Sequence, residues 1–89
     1  MKHATAAALD RLDPLLEDLR ALPGLKERSR GVFYRRSAAF LHFHEDPAGL
    51  FADVRGPDGR FERFGVDTEV ARAALMTRVA ELLAGGVRP

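Results

Sequence analysis

Apolar and polar positions recur with two different periods along this chain. Between residues 12 and 22, Leu12, Leu15, Leu16, Leu19 and Leu22 stand three or four residues apart, which predicts a helix with one apolar stripe. Asp13 is a candidate N-cap, and Pro14 suits the first helical position, where no N–H is needed. Pro23-Gly24 ends the helix. Residues 1–12, MKHATAAALDRL, favour helix by their alanines but offer little stripe before Leu9, so they read as a frayed start or a short helical lead-in. The charged stretch 25–31, LKERSRG, reads as a connector.

From residue 32 the period drops to two. VFYRR, AAFLHFH, LFADVR and RFERFGV are rich in β-branched and aromatic residues and predict four strands. Arg36-Ser37 is a candidate two-residue turn, although it lacks the Gly or Asn that primed turns prefer. EDPAG is a loop, and GPDG at 56–59 is the strongest hairpin signal. A final helix starts at Asp67 or Thr68, carries Val70, Ala74, Leu75, Val79, Leu82 and Leu83 as its apolar side, and stops at Gly85-Gly86. The expected fold is therefore one small α+β domain over residues 1–89. A helix, a four-stranded antiparallel sheet and a second helix follow in order, with both helices on one sheet face.

Alternate strand residues share a face, so hairpin register decides what the sheet presents. A two-residue turn at Arg36-Ser37, with His42 opposite Asp53 and His44 opposite Phe51, gives one cleanly apolar face: Val32, Tyr34, Ala39, Leu41, Phe43, Ala52, Val54, Phe64 and Val66. The other face then carries Phe33, Arg35, Phe40, His42, His44, Phe51, Asp53, Arg55, Phe61 and Arg63. Two helices cover the first face, and 89 residues leave nothing to cover the second. An uncovered aromatic face of that size points to a partner.

Composition narrows the classes of function. The apolar fraction of 46% with 30% charged residues is that of a globular chain, and no run reaches the length of a membrane span. The absence of cysteine excludes a thiol nucleophile, a disulfide framework and a cysteine-ligated metal. With no secretory signal pattern, a cytoplasmic location is the default expectation. A net charge of +1 does not by itself argue for nucleic acid, despite twelve arginines against two lysines.

Within FLHFHED, His42 and His44 are two apart on a strand and point the same way, so they can offer two imidazoles to one ion. Asp53 across the hairpin, or Glu45 or Asp46 from the loop, would complete a set of two histidines and a carboxylate, suited to Zn or Fe. The alternative is that Asp53 holds His42 by a hydrogen bond while both rings pack among aromatics. A hydrolytic triad lacks a nucleophile, because Ser29, Ser37, Thr5, Thr68 and Thr77 sit at turns, tails or helices. The sequence therefore leans away from an enzyme. Phenylalanines interleaved with arginines also suit stacking on single-stranded nucleic acid, but there is no RNP-type motif and acidic neighbours dilute the field.

Leu22-Pro23-Gly24, Gly31–Phe33, His42-Phe43-His44 and Gly49–Asp53 together resemble the small bacterial "luciferase-domain" family over residues 20–66. The order of elements is also similar to the MmcQ/YjbR-like fold. The resemblance implies a fold and a shared His-x-His, not an activity. The family's longer middle segment after the Ala-Asp strand is missing here. The first expectation is a non-enzymatic protein-binding or homodimerisation module without a cofactor, using the Phe/His/Arg face. The alternative is a Zn or Fe site at His42, His44 and Asp53, and single-stranded nucleic acid comes third.

Overall fold

The computed structural model describes residues 2–85. The N-terminal helical region is two helices, α1 (Ala6–Arg11) and α2 (Asp13–Arg20), hinged at Leu12. Pro14 accounts for the break. A continuous helix would need its missing N–H and would push its ring against the carbonyl four residues back. Thr5 caps α1, its Oγ1 accepting from the Ala8 amide at 3.3 Å. Asp13 is not the N-cap expected for α2: Leu12 holds that position, and Asp13 pairs instead with Arg30 at 2.9 Å.

The sheet is antiparallel and has six strands rather than four. They are β1 (Lys2–His3), β2 (Lys26–Ser29), β3 (Val32–Arg35), β4 (Ala38–Asp46), β5 (Gly49–Arg55) and β6 (Phe61–Gly65). The order is β2-β3-β4-β5-β6, and β1 pairs with β4 beyond the end of β3. The connector expected at 25–31 is thus mostly an edge strand. Its side chains are largely exposed, so it joins the sheet through its backbone and has no apolar alternation to betray it. Glu27 on β2 holds Arg20 at 2.6 Å and accepts from the Gly31 amide at 2.9 Å, tying α2 to the β2–β3 turn. Gly31 stands at φ +79 with Leu9 close against it, a place a side chain would fill.

Arg36 and Ser37 form the expected two-residue turn, both with positive φ (52 and 69). Past Tyr34–Ala39 the ladder slips by one, pairing Phe33 with Leu41 and leaving Phe40 as a bulge. The β4–β5 hairpin keeps the expected register, His42 opposite Asp53 and His44 opposite Phe51.

The bulge corrects the face assignment on β3. Phe33 (1% exposed) and Phe40 (3%) lie in the core, not on the open face. Arg35 follows Phe33 to the helix side, donating to the Leu82 and Leu83 carbonyls at 3.1 and 3.4 Å. Val32, paired with His42, and Tyr34 move the other way. Leu9, Leu12, Leu15, Leu16 and Leu19 from the first two helices meet Phe33, Leu41, Phe43, Ala52 and Val54 in one core.

The last helix, α3 (Glu69–Ala84), is capped by Thr68 and adds Leu75, Val79 and Leu82 to that core. Val70, expected on its apolar side, is 82% exposed in the first turn, and Ala74 is exposed as well. Gly85 has an ordinary right-handed φ of −63, and Gly86 lies outside the described residues. Among the described residues no helix is long and apolar enough to cross a membrane.

Candidate metal centre on the open sheet face

β4 is the spine of the open face. It puts His42 and His44 on the side away from the helices, and β5 puts Asp53 beside them. β1 then supplies a third imidazole, because pairing His3 with His44 brings the two rings to one face. The His3 and His44 rings stack at 5.1 Å between centroids, and His42 meets His44 edge-on at 4.6 Å. One potential ligand atom from each of the three histidines lies within 4.8 Å of the other two.

The two-residue strand that carries His3 is anchored on both sides. The Ala4 amide donates to the Phe43 carbonyl at 3.1 Å, and the Thr5 amide donates to Glu45 Oε1 at 2.6 Å. Thr5 is also the cap of α1, so the start of that helix sets where His3 sits.

Nδ1 of His42 and both ring nitrogens of His44 are buried, and among the described residues none makes a hydrogen bond. Buried polar atoms are nearly always satisfied, so three such nitrogens in one place need an explanation. His44 Nε2 lies 3.3 Å from Asp53 Oδ2, an electrostatic contact without hydrogen-bond alignment. Burial, reinforced by the neighbouring His44, pushes the His42 pKa below its ordinary 6.5. Its neutral form, the form of imidazole that ligates metals, is thereby favoured.

Asp53 is 7% exposed and is gripped by Arg63 through two parallel bonds of 2.8 and 2.9 Å. That guanidinium, bonded to the carboxylate, keeps the Asp53 pKa below 3.8 against the opposing effect of burial. Asp53 thus has a partner already, and the carboxylate expected as third metal ligand is not in the three-histidine group. It contacts His44, where the sequence reading placed it against His42.

The remaining expected face residues surround the triad. Phe61, 41% exposed, lies 5.0 Å from the His42 ring, and the Arg55 guanidinium covers Phe61 at 4.6 Å. Phe51 is half-buried opposite His44, and Arg63 is exposed at the β6 edge. Phe33, Arg35 and Phe40 do not join them. His3 is the residue that sequence reasoning missed. Comparison of the chain with protein-family models, with curated proteins and with solved structures finds no match.

Proposed function

We propose that this protein is a metal-binding domain that holds a divalent transition metal, zinc in the first place, between His3, His42 and His44. The observation that carries this reading is the convergence of three imidazoles, two of which, His42 and His44, have buried nitrogens without hydrogen-bond partners among the described residues. A tetrahedral zinc with bonds of ~2.0–2.1 Å wants its ligand nitrogens roughly 3.4 Å apart. The three ligand atoms lie within 4.8 Å of one another, so side-chain rotation has at most roughly 1.4 Å to close. Three imidazoles leave the fourth position for water or a small ligand. Iron of the two-histidine, one-carboxylate type would need Asp53, whose engagement by Arg63 favours the all-histidine set. In this reading Asp53 orients His44 from behind, as carboxylates behind metal-bound imidazoles do.

Titration of the full chain with Zn²⁺ by calorimetry, and with Co²⁺ by its visible spectrum, tests the proposal. One ion per chain and a tetrahedral cobalt spectrum are expected, both lost in the His42→Ala/His44→Ala double variant. The His3→Ala variant is expected to bind more weakly. Equal binding by the chain lacking all three imidazoles would refute the site.

A second reading, a protein-binding or homodimer face, is supported by Phe61, a large side chain exposed on the edge strand β6 beside His42. Its support is narrower than the sequence suggested, because Phe33 and Phe40 are spent on the core. Light scattering decides it: a monomer at high concentration removes the homodimer.

A further inference from the structure

We propose a second site: the cavity where the C-terminal end of α3 meets the β3–β4 and β5–β6 turns binds a phosphate-bearing small molecule. Four arginines, Arg35, Arg36, Arg55 and Arg78, line it against the single carboxylate of Glu81. Its volume of about 620 Å³ is within the usual size of a small-molecule site.

What holds each arginine matters more than the count. Arg78 is neutralised, with Glu62 bound through two bonds of 2.8 Å and Glu81 at 3.4 Å. Arg35 and Arg55 are held by neutral groups instead. Arg35 donates to the Leu82 and Leu83 carbonyls. Arg55 donates to the Ala39 carbonyl at 2.7 Å and the Gly59 carbonyl at 3.0 Å. Backbone carbonyls fix a guanidinium without cancelling its charge. Each of these two uses only two of its five N–H donors in those bonds. Arg36, exposed at the tip of its turn, makes no side-chain ion pair or hydrogen bond among the described residues.

Two positioned guanidiniums and a third at the exposed tip of its turn suit the planar, multi-oxygen chemistry of a phosphate or pyrophosphate. The C-terminal carbonyls of α3 carry partial negative charge, and Arg35 is bonded to two of them, so the helix end is screened from an incoming anion. Leu82 and Pro57 give the cavity an apolar flank for the rest of such a molecule.

The test is a ¹⁵N NMR titration of the full chain with inorganic pyrophosphate, in EDTA so that no metal contributes, at about 0.15 M salt, where exposed charges are screened beyond about 8 Å. Saturable shifts at the Arg35 and Arg55 Nε–H groups and the Gly56 amide are expected. Arg36→Gln/Arg55→Gln should weaken binding by about 10-fold or more, with the far-UV spectrum unchanged. Should that pair fail to fold, Arg36→Gln alone removes a side chain that makes no ion pair or hydrogen bond among the described residues, and a several-fold loss is still expected. Shifts that never saturate, shifts centred on His42 and His44, or undiminished affinity in Arg36→Gln would overturn the proposal. Tighter binding of a glutamate hexapeptide than of pyrophosphate would overturn the ligand class.

Discussion

Replacing Phe33 and Phe61 separately with alanine tests the bulge that decides what the open face contains. In an unbulged ladder both rings would stand on that face and both truncations would be mild. With the bulge, Phe33 is 1% exposed in the core while Phe61 is 41% exposed. Truncating a fully buried phenylalanine costs about 3–5 kcal/mol. A chain of 89 residues has a total stability of about 4–13 kcal/mol, so Phe33→Ala removes a large share of it. At about 4–8 °C per kcal/mol, the melting temperature falls by at least about 12 °C. Phe61→Ala gives up partial burial and its contacts with the Arg55 guanidinium and the His42 ring, about 1–2 kcal/mol together. Urea unfolding followed by far-UV circular dichroism suits a chain without tryptophan. The midpoint should drop far more for Phe33→Ala, with the denaturant slope unchanged in both. A Phe33→Ala cost under about 1 kcal/mol, or one no larger than that of Phe61→Ala, would refute the bulged register.

Gly49 stands at φ +138 with the Asp67 carboxylate filling the space of a side chain, and Asp67 also accepts from the Leu50 amide. Gly49→Ala should therefore lower the melting temperature, and a neutral result in a thermal scan would contradict that packing. Asp53 has its folded pKa below 3.8, so the stability it contributes is fully present above that value and is lost as pH falls through the folded pKa. Asp53→Asn should abolish this part of the acid transition; an unaltered acid limb in pH-dependent unfolding would show that the Arg63 pairing contributes nothing. His42, with a folded pKa below 6.5, is neutral on both sides of unfolding above 6.5, and the unfolded chain takes the proton first below it. Its contribution to stability should thus decline between 6.5 and the lower folded value, and His42→Gln should flatten that slope.

What could be read from residues alone divides along physical lines. The β4–β5 register was legible because apolar Leu41 and Phe43 alternate with His42 and His44 on β4, as Leu50, Ala52 and Val54 alternate with Phe51 and Asp53 on β5, and only one pairing keeps Phe43 and Ala52 together inside. The bulge was not, because Phe40 and Leu41 are both apolar and either phase of the strand looks acceptable. The adjacent pair of large buried side chains is its one trace. The strand β2 hid behind its charges, since an edge strand needs no apolar row to form backbone bonds. Two residues, Lys2 and His3, are too few to show any period, so the third imidazole of the candidate centre could not be placed without the fold. The pair His42 and His44, by contrast, follows from strand geometry alone.

The shortness of β1 has a consequence for how the two ends of this arrangement communicate. A strand of two residues cannot hold itself in place; it is a latch, kept shut by the Ala4 and Thr5 backbone bonds to β4. An ion shared by His3 and His42 would cross-link positions ~40 residues apart, and in the chain-entropy account such a closure takes roughly 4 kcal/mol of freedom from the unfolded chain. Occupancy would then be written into the N-terminal turn as slowed amide exchange at Ala4, Thr5 and the first residues of α1. The fold would carry a record of its own loading beyond the ligands themselves, in the helix that Thr5 begins.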